Sequence, residues 1–154
     1  YSLVRQVLGI TTSERFKDLP IAMQETLLTP TKLYAQSVWP LVEQGFVQSM
    51  AHITGGGLTE NLPRAYAKTL SAKINWGSWP ILPIFNELQA AGDLSLEDML
   101  LTFNNGLGMV LVVKSEDTQK VISQLSQTNQ AAYIIGEMVN GQKSGVVFEG
   151  DAPW

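Results

Sequence analysis

The 154-residue sequence contains no cysteine and only one histidine, His52. Disulfides, thiolate metal sites and cysteine nucleophiles are therefore excluded, as are metal sites built on three histidines. Charge is also scarce, because charged residues make up 16% of the chain against about 25% in a typical domain. Ten Lys and Arg face fourteen Asp and Glu, a net charge of −4. Nucleic-acid binding requires a basic surface, so we predict no nucleic-acid partner.

Long apolar runs are missing as well. The longest strongly apolar run is 108–113, far below the ~20 residues that a membrane-spanning helix needs. No segment has the charged, apolar and cleavage-site pattern of a secretory signal. We therefore predict no membrane partner and a cytoplasmic location. The chain begins at Tyr1, inside a pattern of helical apolar spacing, and we expect a domain boundary there.

Hydrophobic residues make up 45% of the chain, and a chain of this length is expected to form one domain with its own core. We take 1–154 as that domain. Apolar alternation or continuous apolar runs predict five strands, at 47–53, 66–74, 107–113, 132–139 and 143–149. Five or six helices are predicted between and before them. This mixed order predicts an α+β or mixed α/β fold, a layered domain with a mixed sheet of about five strands flanked by helices.

Local signals refine these elements. Pro20 and Pro30 should break the N-terminal region into short helices, and Pro40 should lie in the first turn of a helix over 37–46. The apolar run 107–113 is typical of a strand buried on both faces. Asn-Gly at 140–141, between two apolar runs, predicts a hairpin. Capping signals predict helix starts at three places: Thr11 to Glu14, Ser95 with Asp98, and Ser115.

A triple glycine, Gly55 to Gly57, follows the strand over 47–53 and precedes a short helix. This order suits phosphate binding, because glycine lets the backbone approach a ligand closely. The loop lacks the Gly-Lys-Ser/Thr of a P-loop, and Glu60 breaks a dinucleotide fingerprint. A tight strand-to-helix turn is the alternative. His52 lies just before the loop, and histidine is the side chain that most readily exchanges a proton near neutral pH; a purely structural histidine is the alternative.

Two further segments could contact a ligand. The segment 103–109 has the sequence Phe-Asn-Asn-Gly-Leu-Gly-Met, and 29–34 has Thr-Pro-Thr-Lys-Leu-Tyr. A bulge at a buried strand and a simple turn are their respective structural alternatives. We interpret the four tryptophans as packing residues. The acidic pairs at 97–98 and 116–117 begin helices, and we do not expect them to bind a metal.

Together these segments resemble the C-terminal half of one enzyme family. They are 29–34, 51–64 with its string His-Ile-Thr-Gly-Gly-Gly-Leu-Thr-Glu-Asn, and 103–109. The family is phosphoribosylformylglycinamidine cyclo-ligase, also called aminoimidazole ribonucleotide synthetase. The resemblance includes 79–89 and runs from the first helix to about Glu149.

The resemblance implies an activity in purine biosynthesis. Family members use ATP and Mg²⁺ to activate the formyl amide oxygen of formylglycinamidine ribonucleotide. A neighbouring nitrogen then closes the imidazole ring, which gives aminoimidazole ribonucleotide, ADP and phosphate. The family has two domains and forms homodimers through the N-terminal one, which also carries most ATP- and metal-binding residues. The C-terminal domain faces it across a cleft, so we expect the 154-residue chain alone to be inactive.

The resemblance also implies a set of site residues. His52 would polarise or protonate the amide oxygen, or bind the substrate phosphate. The triple-glycine loop, residues 54–57, would direct its backbone N–H groups at a phosphate. The full set comprises His52, Thr54, Gly55, Gly56, Gly57, Asn61 as a hydrogen-bonding group, Arg64 as a positive charge, Thr31 and Lys32 on the opposite rim, and Asn104, Gly106 and Gly108 where a strand end approaches the ligand.

Two other functions compete with this one. The first is a sister enzyme of the same superfamily, such as formylglycinamidine ribonucleotide synthase, selenophosphate synthetase, thiamine-monophosphate kinase or a hydrogenase maturation factor. The second is a non-catalytic domain that binds a small phosphate-bearing molecule or another protein.

Overall fold

The computed structural model describes residues 1–141 and 144–154. The elements run in the order α1 (Ser2–Val7), α2 (Ser13–Lys17), α3 (Ile21–Leu28), α4 (Ala35–Glu43), β1 (Val47–His52), α5 (Gly57–Asn61), a 3₁₀ turn (Leu62–Arg64), β2 (Leu70–Asn75), α6 (Pro83–Gly92), α7 (Leu96–Thr102), β3 (Met109–Val113), a second 3₁₀ turn (Ser115–Asp117), α8 (Thr118–Gln127), β4 (Gly136–Asn140) and β5 (Gly145–Glu149). No helix of the described part combines the length and the apolar character needed to cross a membrane.

The strands form two small sheets. β1 pairs with β3 in antiparallel orientation. β2 is the central strand of the other sheet, antiparallel to β4 and parallel to β5. The α+β class and the five strands are therefore confirmed, and within the described residues these strands divide into two sheets instead of joining in one.

The hairpin predicted at 140–141 is wrong. β4 and β5 lie on opposite edges of β2 and do not pair with each other. The N–H of Gly141 donates to the carbonyl of Thr69 at 2.9 Å, so the chain leaves β4 beside the start of β2. This arrangement encloses Ala72 and Ile74 of β2, each 3% exposed, between two partner strands. Residues 142 and 143, the second of which begins the predicted strand 143–149, lie outside the described residues.

The core consists of two clusters. The larger joins both sheets through Ile53, Leu58, Leu62 and Ile74, and the smaller joins α4 to α8 through the side chains of Leu41, Val121 and Leu125. β3 is only half-buried along its length, so its predicted burial on both faces is wrong. In the described part of the chain its only partner is β1, and its residues line a cleft of about 720 Å³ that extends to β4.

The helix signals had mixed outcomes. Ser95 and Asp98 form the predicted capping box of α7. α2 is capped by Thr12, whose hydroxyl accepts from the N–H of Arg15, one residue later than the predicted box. Pro40 lies beyond the first turn of α4, because that helix starts earlier than the sequence predicted. The predicted cap at Ser115 is also wrong, since Ser115 opens the second 3₁₀ turn and α8 begins at Thr118.

Residues 10–33 form an N-terminal arm that contributes nothing to the core. Neither α2 nor α3 buries a single residue. Ile21, Leu28 and Leu33 are 74%, 70% and 82% exposed. The hydroxyl of Tyr1 donates to the Leu27 carbonyl at 2.9 Å and so ties the arm to α1.

Candidate functional site

The antiparallel pairing of β1 and β3 brings two of the predicted segments together. His52, the last residue of β1, lies opposite Met109, the first residue of β3. The N–H of Ile53 donates to the carbonyl of Gly108 at 2.9 Å and extends the ladder past both strands. The loop that leaves β1 and the loop that enters β3 therefore meet at one end of this sheet.

The triple glycine adopts a conformation that needs glycine. Gly56 and Gly57 have φ values of +94° and +54°, where side chains are unfavourable. A Cβ on Gly57 would overlap the carbonyl oxygen of Leu100 and would lie 2.7 Å from that of Phe103. The loop thus packs its backbone directly against the end of α7, and Gly57 is required for space as well as for conformation.

Two of the four predicted amide donors are already in use. The N–H of Gly56 donates to the Leu101 carbonyl at 2.8 Å, and that of Gly57 donates to the Thr54 carbonyl at 3.0 Å. The N–H groups of Thr54 and Gly55 find no acceptor within the residues that the structure describes. Both residues are exposed. The donors that remain for an anion in this loop are therefore those of Thr54 and Gly55.

Asn61 fixes the conformation of the triple-glycine loop through side-chain hydrogen bonds. Its side chain is buried, and its amide nitrogen donates to the carbonyls of Gly57 at 2.7 Å, Gly55 at 3.1 Å and Thr54 at 3.4 Å. In a trans peptide the C=O and the following N–H point in opposite directions. The Thr54 carbonyl turned toward Asn61 therefore directs the N–H of Gly55 away from the core.

The loop before β3 is closed by its own hydrogen bonds. The side-chain oxygen of Asn104 accepts from the N–H of Gly106 at 3.0 Å, so this amide is not free for a ligand. The fully buried Asn105 donates to the Met99 carbonyl at 3.1 Å, and its own carbonyl accepts from the indole of Trp79 at 2.8 Å. Asn105 is not among the residues predicted for the site, although its position in the 103–109 segment was a signal.

The remaining predicted residues lie apart from the loop. Arg64 forms an exposed ion pair at 3.9 Å with Glu60, one turn earlier. The Lys32 ammonium lies 3.5 Å from the side-chain oxygen of Gln130. Thr31 is exposed and makes no hydrogen bond among the described residues. In the part of the chain that the structure describes, no hydrogen bond, ion pair or ring contact connects these three side chains to His52 or to the triple glycine.

Tyr34 also lies at this end of the sheet, although it is not among the residues predicted for the site. Its ring meets the imidazole of His52 edge-on, with centroids 6.0 Å apart and planes at 64°. A Cβ on Gly108 would overlap the Tyr34 hydroxyl. Partial burial raises the pKa of the Tyr34 phenol. Its position at the end of the 29–34 segment was the available signal.

The described residues do not gather metal-binding side chains into one cluster. Among them, no group of three or more Asp, Glu or His comes together in a way that could hold a metal ion. The chemistry available at this end of the sheet is therefore two backbone N–H donors, an exposed imidazole and a phenol.

The comparisons with known proteins identify the family of the chain. Residues 1–149 match the family described as AIR synthase related protein, C-terminal domain. The chain belongs to this family.

The chain is also similar to individual phosphoribosylformylglycinamidine cyclo-ligases. It is 44% identical to the Brevibacillus brevis enzyme over 154 residues, 42% identical to that of Geobacillus thermodenitrificans over 154, and 44% identical to that of Lactobacillus helveticus over 158. Each alignment covers 97% of this chain and 44–45% of the relative. The chain therefore spans less than half the length of these curated relatives, and the predicted resemblance to the C-terminal half is confirmed.

Proposed function

We propose that this chain is the substrate-cleft half of an ATP-dependent ligase. The whole enzyme would close the imidazole ring of formylglycinamidine ribonucleotide to give aminoimidazole ribonucleotide. The observation that carries the proposal is the pair of free amides, Thr54 and Gly55, two and three residues beyond the exposed His52 that ends β1. The cyclo-ligase names of all three relatives favour this activity over a sister enzyme.

In this proposal the loop binds a phosphate-type oxygen anion of the phosphoribosyl substrate. Two N–H donors without an acceptor in the loop satisfy such an oxygen without a lysine, and hydrogen bonds to an anion are stronger than neutral ones. His52 adds a donor at the same end of the sheet. It either binds this phosphate or polarises or protonates the amide oxygen that becomes the leaving group.

The other site residues have supporting roles in this proposal. Gly56, Gly57 and Asn61 hold the loop, because their polar groups donate to neighbouring carbonyls. Asn104 and Gly106 hold the neighbouring loop, and Gly108 lets Tyr34 approach. Three exposed residues, Thr31, Lys32 and Arg64, supply polar and cationic groups at the rim.

ATP and Mg²⁺ would be bound mainly by the rest of the enzyme. When bound, they supply phosphoryl activation of the amide oxygen. The described residues contain no carboxylate cluster for the metal, so we assign no metal-binding role to this chain's residues. We propose that the partner is an N-terminal domain of the same protein, that the full enzyme is a cytoplasmic homodimer, and that this chain alone is inactive.

The test is a chimaera in which this chain replaces the matching C-terminal part of the Brevibacillus brevis enzyme. We expect ATP-dependent formation of aminoimidazole ribonucleotide. His52→Ala should lower kcat by about 10²-fold or more if His52 transfers a proton, and should raise KM if it binds phosphate. A folded chimaera without activity, or one that is unaffected by His52→Ala, would contradict the proposal.

The matched control is Asn86→Ala, a substitution on the exposed side of α6. It should leave both kcat and KM unchanged. If Asn86→Ala also lost activity, the chimaera would be sensitive to substitution in general. The effect of His52→Ala would then be assessed as the change in KM relative to Asn86→Ala.

A further inference from the structure

The backbone of Tyr34 is fixed from the side of α4. Its carbonyl accepts from the N–H groups of Ser37 and Val38, at 3.1 and 2.9 Å, and from the Ser37 hydroxyl at 3.1 Å. Ser37 and Val38 are both buried, and Leu41 anchors α4 to α8. The point from which the Tyr34 ring projects is therefore held by packed residues.

The ring reaches the end of the β1–β3 sheet. Its edge-on contact with His52 has the geometry that aromatic pairs prefer. Its hydroxyl occupies the space where a side chain at position 108 would begin. Gly108 does not lie in the left-handed region, so glycine is needed here for space and not for conformation.

His52 has few other restraints. Its side chain is exposed and makes no hydrogen bond within residues 1–141 and 144–154. In most histidine sites a carboxylate or carbonyl fixes the ring through the second nitrogen. Among the described residues, the ring contact with Tyr34 is what restrains the orientation of the His52 imidazole.

We propose that Tyr34 is a positioning residue that orients the His52 imidazole toward the free amides of Thr54 and Gly55, and that Gly108 is the space that admits its hydroxyl. This inference rests on the proposed function, because orientation matters to binding only if His52 faces the anion. The raised pKa of the phenol keeps Tyr34 neutral at neutral pH.

The first test uses the fact that the chain has one histidine, so that every imidazole proton signal in an NMR spectrum belongs to His52. Wild type should show nuclear Overhauser effects between the Tyr34 ring and His52. Tyr34→Phe should keep the imidazole shifts close to wild type, and Tyr34→Leu should move them toward those of free histidine. Tyr133→Phe, which changes an exposed tyrosine, is the control and should move nothing. A folded Tyr34→Leu with unchanged imidazole shifts would overturn the inference.

The second test measures the coupling between positions 34 and 108. Gly108→Ala should lower Tm in the wild-type background, because the new methyl group displaces the Tyr34 hydroxyl. The same substitution should cost less in Tyr34→Phe, which lacks the clashing oxygen, and least in Tyr34→Leu. Equal losses of Tm in all three backgrounds would show that the hydroxyl does not occupy this space.

The third test separates this inference from the proposed function, with inorganic phosphate as the probe. If the function is right, phosphate should shift the His52 imidazole and the Thr54 and Gly55 amide signals of the wild-type chain. Tyr34→Leu should then raise the apparent Kd for phosphate several-fold, and Tyr34→Phe should keep the Kd close to that of wild type. No phosphate shift in wild type would overturn the proposed anion site and leave the Tyr34 contact to be judged by the first two tests. Phosphate binding that is equal in all variants would overturn the positioning role alone.

Discussion

The short helix α5 is more deeply buried than the longer helix α3. α5 has five residues, and three of them, Gly57, Leu58 and Asn61, are buried. α3 has eight residues and buries none. Short helices are marginal in water, and most helical stability in proteins comes from packing. The shorter helix should therefore be the more stable of the two, because it is held by α7 and by the loop in front of it.

The strongest test of this comparison is Gly57→Ala. Alanine must adopt a positive φ and its Cβ must displace the Leu100 carbonyl, so we expect a loss of more than about 3 kcal/mol in the free energy of unfolding. Urea denaturation would measure it. The control is Gly55→Ala, where a Cβ meets open space and the change should stay within about 0.5 kcal/mol. Similar midpoints for the two variants would contradict the packing of the loop on α7.

A pair of leucines makes the comparison direct. Leu58 in α5 is fully buried, and Leu28 in α3 is 70% exposed. Leu58→Ala should cost about 2–5 kcal/mol through lost burial and the cavity left behind. Leu28→Ala should change stability by less than about 0.5 kcal/mol. A substantial loss of stability in Leu28→Ala, measured by the same urea denaturation, would show that the arm is packed in solution.

The buried amide below the loop gives the next largest effect. Asn61→Ala removes the three hydrogen bonds that the buried amide donates, so we expect a loss of about 2 kcal/mol in the free energy of unfolding. Thermal unfolding of the variant should be compared with that of Asn86→Ala, which removes an exposed asparagine. Equal melting temperatures would mean that Asn61 does not hold the loop.

The smallest expected effect is on the loss of stability at low pH. Hydrogen bonds from the Ser95 hydroxyl and N–H lower the pKa of Asp98, which belongs to the capping box of α7. In α2, a hydrogen bond from a backbone N–H and hydrogen bonds with the Thr12 and Ser13 hydroxyls lower the pKa of Glu14. A carboxyl whose pKa is lowered in the folded state stabilises it above the unfolded pKa, and this stability is lost as the pH falls through the folded pKa. Asp98→Asn should therefore flatten the decline of stability below about pH 4.

Glu14→Gln should leave this decline almost unchanged, because α2 buries nothing and is free to unfold locally. Acid titrations of both variants, followed by circular dichroism, would measure the difference. An equal effect of both substitutions would show that α2 and α7 unfold together, against the comparison drawn above.

The elements around the site were largely predictable because their signals are local. The strand before His52, the glycine turn and the Ser95 cap of α7 each depend on neighbours within a few residues. The fate of the loop amides was not predictable, because the acceptor for Gly56 is the carbonyl of Leu101, far away in sequence. The Tyr34–Gly108 contact and the separation of β4 from β5 depend on equally distant segments.

The position of β2 has a consequence for folding. Its two partner strands, β4 and β5, come from the last part of the chain, while β2 itself ends at Asn75. On a ribosome, Ala72 and Ile74 would leave the exit tunnel long before any strand exists to cover them. Pairings of this non-local kind form slowly, so the apolar side chains of Ala72 and Ile74 should remain uncovered until β4 and β5 have been synthesised.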